Sequence, residues 1–299
     1  MATLNWNTSN ITDQSGRVVI ITGATSGLGK EATKILAGKN ATVVMAVRNT
    51  EKGALVATEL KSAFPSAKID VRSLDLGSLS SVKDFAAGIH AAYDRLDILI
   101  NNAGVMTCPY SKTEDDFEIQ MGTNHFGHFA LTGLLMPLLT KTKASRIVAT
   151  SSIAHKQGKI DLEDINWEKR KYSTMQAYGD SKMANLYFAY ELASKLKDDP
   201  SAPLVTAAHP GWTSTELQRH SIMFRLFNPL FSQNVAQGVL PTLRAAIDEH
   251  AKPGDYFGPS GFQELKGSPV VVKSTGLSHS DANAKKLWAL SEEMTGVQF

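Results

Sequence analysis

Tyr178 and Lys182 are four residues apart, a spacing that places a phenol and an ammonium on the same face of a predicted helix. A free phenol has a pKa of about 10 and is a poor proton-transfer group at neutral pH. A neighbouring ammonium favours the phenolate, so we expect it to lower that pKa. A tyrosine tuned in this way can give a proton to a carbonyl oxygen or take one from an alcohol. The same spacing also occurs on many solvated helices, so the interpretation depends on the rest of the chain.

Two further polar residues are candidates for the same chemistry. Ser152 follows an apolar run at 145–150 that is predicted to be a strand, and ligands gather at the carboxyl ends of strands in open α/β sheets. Its hydroxyl could donate a hydrogen bond to a carbonyl oxygen as charge builds there. No G-x-S-x-G surrounds Ser152, which disfavours a nucleophile. Asn124 lies inside a helix predicted at 117–139, where Asn is a poor residue. With Gly127 close by, Asn124 indicates a local distortion or a bound water, although an exposed side chain is an equal alternative.

A glycine-rich turn follows the first apolar run of the chain. The run at 17–22 is predicted to be a buried strand, and a helix is predicted at 30–38. Glycines between them let the backbone turn tightly and approach a pyrophosphate, and the helix N-terminus supplies N–H donors. The spacing is G-x-x-x-G-x-G and departs from the G-x-G-x-x-G fingerprint. We predict a nucleotide site in preference to an ordinary loop, with contacts from Gly23, Thr25, Ser26, Gly27, Leu28 and Gly29.

The end of the second predicted strand, at 41–47, indicates which nicotinamide cofactor fits. An NAD site places Asp or Glu there to bond the ribose 2′-hydroxyl, whereas a 2′-phosphate requires a cation. This chain has Arg48 and Asn49 and no acid between Ala46 and Thr50. We therefore predict a preference for NADP(H) over NAD(H), with the alternative that Arg48 is a plain surface residue.

Other segments that follow predicted strands add candidates to the same site. Asp75 could cap the next helix or contact the adenine amino group. Small residues after the fourth strand leave room for a cofactor lying over the sheet. After the sixth strand a Pro-Gly turn precedes hydroxyl side chains that could hold a carboxamide and a phosphate. The cofactor candidates from these segments are Asp75, Leu76, Asn102, Ala103, Gly104, Pro210, Gly211, Thr213 and Thr215.

Alternating apolar runs and amphipathic segments predict an α/β fold, a Rossmann-type doubly wound parallel sheet of about seven strands flanked by helices. The whole chain, 1–299, is expected to form a single NAD(P)-binding domain with a C-terminal extension at 250–299. The segment 222–231 is unusually apolar for a surface. It is interpreted as a helix packed on the core, or as part of a substrate lid around 212–235, with membrane-surface contact as a third reading. Strands are predicted at 17–22, 41–47, 69–74, 96–100, 145–150, 204–208 and 270–272.

Composition excludes several classes of protein. The chain is 42% hydrophobic and 20% charged, with a net charge of +2 and scattered Lys and Arg, so nothing indicates a nucleic-acid partner. The single cysteine, Cys108, excludes an intrachain disulfide and a thiolate metal cage. No apolar run approaches the ~18–20 residues of a membrane span, and the first residues do not resemble a signal peptide. We expect a cytoplasmic protein without a metal site, in which His125 and His128 are structural.

Taken together, these motifs resemble the short-chain dehydrogenase/reductase family, and the match runs from Gly16 to about Thr215. The ordered set is Thr22-Gly23-(x3)-Gly27-x-Gly29, Asp75, Asn102-Ala103-Gly104, Asn124, Ser152, Tyr178-(x3)-Lys182 and Pro210-Gly211. Finer features are similar to the branch that contains retinol dehydrogenases and WW-domain oxidoreductases. These are the stretches Ala46–Asn49, Thr123–Phe129, Ser151–His155, Tyr256–Pro259 and Lys286–Trp288.

The resemblance implies a role for each matched residue. Tyr178 would be the acid/base, while Lys182 would lower its pKa and hold the nicotinamide ribose. Ser152 would steady the substrate oxygen, and Asn124 would support a water relay to Lys182. The glycine-rich turn would line the diphosphate and Arg48 would take the 2′-phosphate. Thr213 stands where the family usually has Val or Ile, a change that a backbone contact to the carboxamide tolerates.

The function expected from this resemblance is an NADP(H)-dependent carbonyl reductase or alcohol dehydrogenase acting on a small, lipophilic carbonyl or alcohol. Many retinoid enzymes of that branch carry an N-terminal membrane helix that this sequence lacks, so we expect a soluble relative rather than a retinoid enzyme. One alternative is a cofactor-binding regulatory protein with negligible turnover. Another is a light-dependent reductase of the protochlorophyllide type. A homo-oligomer is expected to be possible, because the family often pairs its two long helices, unless the C-terminal segment covers them.

Overall fold

The centre of the molecule is one eight-stranded sheet, seen in a computed structural model that describes residues 5–213 and 233–299. The strands lie in the order β3-β2-β1-β4-β5-β6-β7-β8, and all adjacent pairs are parallel except β7 with β8. The inner strands are almost continuous Val, Ile, Leu and Ala, as expected where helices cover both faces. The strands are β1 (Val18–Thr22), β2 (Thr42–Val47), β3 (Lys68–Ser73), β4 (Ile98–Asn101), β5 (Arg146–Thr150), β6 (Leu204–Ala208), β7 (Tyr256–Pro259) and β8 (Pro269–Val271).

Helices connect the strands and pack on both faces of the sheet, each face burying its own apolar cluster. A π-helical turn at Gly122–Phe126 joins α4 to α5. Short 3-10 turns occupy Thr8–Asn10, Ile153–Gln157, Phe262–Glu264 and Gly276–His279. The α-helices are α1 (Gly27–Gly38), α2 (Thr50–Ala63), α3 (Leu79–Ala92), α4 (Ile119–Met121), α5 (Gly127–Lys141), α6 (Thr174–Lys195), α7 (Val235–Gly238), α8 (Leu240–Ile247) and α9 (Asp281–Thr295).

The strand order reverses between β1 and β4, which lie side by side in the middle of the sheet. In open α/β sheets, the crevice at the carboxyl ends of the strands next to such a reversal is where ligands bind. The segments after β1, β2, β4, β5 and β6 all emerge at that edge because these strands are parallel. The topology therefore brings the predicted site segments together.

The α/β fold and its doubly wound sheet are confirmed, and the strand count differs by one. The strand missed from the sequence is β7, whose four residues Tyr256–Pro259 include a glycine and a proline, both unfavourable in strands. The predicted strand at 270–272 is the antiparallel β8. Thr215 and most of the predicted lid, including 222–231, lie outside the described residues.

The helix predicted at 117–139 is interrupted by the π-helical turn, which contains Asn124. The predicted distortion is therefore present, and the alternative of an exposed Asn124 is wrong because that residue is fully buried. Gly127 follows the turn at a point where the helix lies against the backbone of Leu76, and a Cβ there would collide with the Leu76 carbonyl oxygen. The sequence thus allows α5 to approach the segment after β3 closely.

The C-terminal helix α9 packs against α6 and α5. The Trp288 ring stacks on Phe188 of α6 at 6.0 Å between centroids and meets Phe129 of α5 edge-on at 5.1 Å. This aromatic cluster covers the face that the two long helices would otherwise expose. Among the helices in the described part of the chain, none is both long and apolar enough to cross a lipid bilayer.

Candidate active site

The glycine-rich turn has the backbone geometry of a phosphate-binding loop. Gly23 and Gly27 have φ angles of +67° and +52°, a region that residues with a Cβ rarely adopt. A Cβ on Gly29 would collide with the Gly23 carbonyl oxygen and lie 2.7 Å from Asn102 Nδ2. Helix α1 begins at Gly27, and the side chain of its N-cap residue, Ser26, does not cap it. The N–H groups of its first turn can therefore bind an anion such as a diphosphate.

The ends of β1 and β4 are joined by the side chain of Thr22. Its hydroxyl oxygen accepts hydrogen bonds from the backbone N–H groups of Asn102 (2.9 Å) and Ala103 (2.8 Å). The Asn102 side chain in turn donates to the Thr22 carbonyl oxygen at 2.8 Å. These bonds fix the loop after β4 against the glycine-rich turn, so that both line one crevice.

His128 connects this crevice to the π-helical turn. Its Nδ1 lies 3.0 Å from the Asn124 carbonyl oxygen and its Nε2 lies 2.9 Å from Thr22 Oγ1. A carbonyl oxygen can only accept, so Nδ1 carries the proton and Nε2 accepts from the Thr22 hydroxyl. Burial lowers the pKa of His128 to about 4, and the bond to Asn124 opposes that shift. The imidazole is therefore neutral at physiological pH, as this pattern of bonds requires.

Replacing His128 by leucine is expected to lower the free energy of unfolding by about 2 kcal/mol, because it leaves buried polar groups of Thr22 and Asn124 without these partners. Denaturant titration measures the change. The control is His250→Leu, at a side chain that is 85% exposed, where we expect almost no effect. Equal stability of the two variants would contradict this role of His128.

Lys182 and Tyr178 lie on the inward face of α6, and both are almost fully buried. Lys182 Nζ donates to the Thr150 carbonyl oxygen at 3.1 Å and lies 5.7 Å from the centroid of the Tyr178 ring. Asn185 donates to the same carbonyl at 2.9 Å, and Ser151 Oγ donates to the Lys182 carbonyl at 2.8 Å. The end of β5 therefore fixes the position of the Lys182 ammonium.

The pKa of Tyr178 differs from the expectation drawn from the sequence. Burial raises it to about 12, and the nearby Ser152 side chain acts in the opposite direction. Burial also lowers the pKa of Lys182 to about 8. The net shift is therefore upward, opposite to the lowered pKa expected from the sequence, because desolvation of the phenolate is the largest effect. At neutral pH Tyr178 therefore carries its proton.

Ser152 and Asn124 occupy different positions relative to the crevice. Ser152 lines it and accepts a hydrogen bond from the Ala154 N–H at 3.2 Å. Asn124 does not line it but bonds to Val105, which does. Its side-chain amide accepts from the Val105 N–H at 2.8 Å and donates to the Val105 carbonyl oxygen and to Ser181 Oγ, both at 2.9 Å. A Cβ on Gly104 would lie 3.0 Å from Asn124 Oδ1 and 3.5 Å from Lys182 Nζ. Asn124 therefore holds the loop after β4 next to Lys182.

At the end of the crevice near β2, Arg48 is exposed and lines the cavity. The Asn49 side chain accepts from the Lys52 N–H at 2.8 Å and caps α2. Lys52 also lines the cavity, and sequence reasoning missed it, although its position four residues after Arg48 was a usable signal.

Asp75, after β3, also lines the cavity. It accepts a hydrogen bond from the Gly77 N–H at 2.9 Å. The cap of α3 is Ser78, so Asp75 is not the helix cap.

At the opposite end the chain turns sharply after β6. Gly211 has a φ angle of +65°, and Thr213 Oγ1 donates to the Pro210 carbonyl oxygen at 2.8 Å. Gln233 also donates to that carbonyl. The Thr213 side chain is thus engaged with its own turn, and Pro210, Gly211 and Thr213 line the cavity.

A single cavity of about 530 Å³ joins these segments, a volume within the range of ligand sites. Most of the predicted residues line it; Asn124 does not, and Thr215 lies outside the described residues. Lining residues that were not predicted include Lys52, Val105, Met106, Thr123 and Thr150. The predicted residues that line it are Gly23, Thr25, Ser26, Gly27, Leu28, Gly29, Arg48, Asn49, Asp75, Leu76, Asn102, Ala103, Gly104, Ser152, Tyr178, Lys182, Pro210, Gly211 and Thr213.

The chain matches the family model described as short chain dehydrogenase over residues 17–223. It is 41% identical over 290 residues to human retinol dehydrogenase 12, which covers 95% of this chain and 88% of the relative. It is 38% identical over 292 residues to human retinol dehydrogenase 13, covering 95% of this chain and 86% of the relative.

Solved structures show the same fold. An uncharacterized protein from Mycobacterium paratuberculosis is similar to this chain with a TM-score of 0.84 and 40% identity, covering 98% of each chain. A chain from Shigella flexneri, titled a short chain dehydrogenase complexed with NADP, is similar with a TM-score of 0.67 and 27% identity, covering 82% of this chain and 98% of that one.

Proposed function

This chain belongs to the short-chain dehydrogenase family, and on that premise we propose that it is an NADP(H)-dependent reductase of lipophilic carbonyl compounds and dehydrogenase of the matching alcohols. One observation carries the proposal. Tyr178, Lys182 and Ser152 line the same cavity as the glycine-rich turn and the segment after β2. A proton donor and a nucleotide cradle therefore share one crevice.

The residues present fit a nicotinamide dinucleotide. The uncapped first turn of α1, which Gly29 allows to pack closely against the Gly23 backbone, suits the diphosphate, and Arg48 with Lys52 suits a 2′-phosphate. Lys182 would hold the nicotinamide ribose, and the turn at Pro210–Thr213 would hold the carboxamide. Bound there, the coenzyme supplies or accepts the hydride. The protein's part is to align the reacting carbons and to move the proton.

In the reducing direction Ser152 would donate a hydrogen bond to the carbonyl oxygen and orient it towards Tyr178. Tyr178, protonated at neutral pH, would give its phenolic proton to that oxygen as negative charge develops. An alkoxide is far more basic than a phenolate, so the transfer is downhill even from a phenol with a raised pKa. The charge of Lys182 would favour the phenolate left behind.

We expect the two directions to respond differently to pH. Alcohol oxidation needs the Tyr178 phenolate, which becomes more populated as pH rises towards a pKa of about 12. Its kcat/KM should therefore increase between pH 7 and pH 9.5, whereas carbonyl reduction, which needs the protonated phenol, should not gain. Initial rates in both directions across this range provide the measurement. An oxidation rate that falls steadily with pH would contradict the assignment of Tyr178 as the base.

The substrate class follows from apolar side chains and from the relatives' names. Val105 and Met106 line the same cavity as Tyr178 and Ser152, which favours an apolar substrate over a charged one. The relatives named above act, by name, on retinol, an apolar alcohol. We therefore propose a lipophilic aldehyde or ketone as the substrate for reduction and place retinal among the compounds to be tested.

Any homo-oligomer is expected to use a face other than α5 and α6. Helix α9 occupies that surface through Trp288, and a second chain would have to displace it. A cytoplasmic location stays a prediction from the sequence.

The test of the proposed function is consumption of NADPH, followed by absorbance, with a panel of aliphatic and aromatic aldehydes and ketones that includes retinal. We expect turnover in the dark and a clear excess of kcat/KM with NADPH over NADH. Binding of NADPH without consumption across the whole panel would support a regulatory protein instead. Turnover that requires illumination would support the light-dependent alternative.

A further inference from the structure

The loop between β7 and β8, residues 260–268, lies directly against the turn that follows β6. We call it the clasp loop. The Trp212 N–H donates to the Leu265 carbonyl oxygen at 2.8 Å, and a Cβ on Gly211 would collide with that same oxygen. The loop lies beyond the residues matched by the family model, which ends at 223. Its contacts are therefore a property of this chain's C-terminal extension.

Glu264 of the clasp loop is bonded to a fully buried histidine. Glu264 Oε2 lies 2.9 Å from His209 Nε2, and His209 Nδ1 accepts from the Gly211 N–H at 3.2 Å. Because Nδ1 accepts, the proton of the neutral ring is on Nε2 and is donated to the carboxylate. Burial lowers the pKa of His209, and the bond to its carboxylate partner opposes the shift. Glu264 thus selects the one tautomer that can hold the Gly211 N–H.

The same carboxylate also reaches the loop that carries Ser152. Glu264 Oε1 pairs with Lys156 Nζ at 3.4 Å, and Lys156 belongs to the 3-10 turn Ile153–Gln157 that Ser152 caps. One side chain therefore contacts two segments that line the cavity, the loop after β5 and the turn after β6.

The backbone of the clasp loop supports a specific role for this residue. Gln263 and Glu264 have φ angles of +50° and +59°, which non-glycine residues rarely adopt. Such conformations persist where the surrounding structure holds them, and they concentrate at functional sites. A glycine would adopt this backbone with less strain but would supply no carboxylate.

We propose that Glu264 is a positioning residue for this site. Through His209 it sets the Gly211 backbone at the nicotinamide end of the cavity, and through Lys156 it sets the loop that presents Ser152. This inference rests on the proposed function for its kinetic consequence, whereas the contact itself can be tested without turnover.

The experiment compares Glu264→Ala, Glu264→Gln and Glu264→Gly with the wild-type enzyme and with the control Glu293→Ala, an exposed residue of α9. Alanine is expected to lower kcat about tenfold with little change in the KM of the carbonyl, because displaced catalytic groups weaken interactions made in the transition state. Glutamine can still accept from His209 and should retain at least a third of the activity. Glycine relieves the backbone strain, yet it should lose as much activity as alanine.

Three results would overturn the proposal. These are a kcat of Glu264→Ala within twofold of the control, a Glu264→Gly variant with wild-type activity, and a Glu264→Gln variant as impaired as alanine. The second result would mean that only the backbone conformation matters. The third would mean that the bond to His209 is not the operative contact.

Amide hydrogen exchange separates this proposal from the proposed function. In the cofactor-free protein we expect Glu264→Ala to accelerate exchange of the Gly211 and Trp212 amides about tenfold, and Glu264→Gln to leave it within threefold of wild type. If the wild-type protein turns over no carbonyl compound, the proposed function fails. The exchange result still tests whether Glu264 holds the turn after β6. Unchanged exchange in Glu264→Ala would refute the positioning role of Glu264, whatever the activity of the protein.

Discussion

Replacing Tyr178 by phenylalanine is expected to lower kcat for carbonyl reduction about 10²–10⁴-fold, the range that a positioned general acid contributes. The change removes one buried hydroxyl and keeps the ring that fills its place on α6. NADPH should bind with nearly wild-type affinity, because the glycine-rich turn and Lys182 are untouched. Single-turnover kinetics measure the hydride-transfer step, and fluorescence titration measures the affinity.

The matched control for this prediction is Tyr190→Phe. Tyr190 lies on the same helix, and its hydroxyl bonds to Ser274 rather than lining the cavity. Loss of that hydroxyl should leave kcat within a factor of about two, because a single hydrogen bond outside the site contributes only about 1 kcal/mol to stability. Full activity of Tyr178→Phe would overturn the assignment of Tyr178 as the acid.

The sheet could be predicted from sequence because parallel strands buried on both faces leave unambiguous apolar runs, as at 41–47 and 96–100. The edge strand β7 could not, because its four residues are stabilised by pairing with β6 and β8 rather than by their own propensity. The π-helical turn was indicated by one misfit residue, Asn124, whose bonds to Val105 only the folded loop supplies.

The residues of the site divide in the same way. Residues that must face a nucleotide, such as Tyr178 on α6 and the glycines of the turn after β1, carry a spacing that is visible in the sequence. His128 and Glu264 act through partners far away in the chain, and no local pattern marks them. The pKa of Tyr178 was also beyond the sequence, since the depth of burial decides whether desolvation or the neighbouring cation has the larger effect.

Replacing Arg48 by glutamate is expected to reverse the proposed preference for NADP(H). Arg48 is the first residue after β2 and lines the cavity where a 2′-phosphate would lie. Loss of a hydrogen bond to a charged group weakens binding by about 1.5–3 kcal/mol, or roughly 10- to 100-fold, and a carboxylate would also repel the phosphate. The same carboxylate can bond a free ribose 2′-hydroxyl, so kcat/KM with NADH should rise. The ratio of kcat/KM values for NADPH and NADH should fall about a hundredfold or more.

Two lysine variants of α2 show whether this effect is local. Lys52→Ala removes the second cation at the cavity and should lower the ratio less than Arg48→Glu, since Arg48 stays in place. Lys61→Ala removes an exposed cation from the last turn of the same helix and should leave the ratio unchanged. Because the 2′-phosphate would lie far from the reacting carbons, kcat with saturating NADPH should change little in all three variants. If Arg48→Glu and Lys61→Ala give the same ratio, the preference for NADP(H) does not originate at the end of β2.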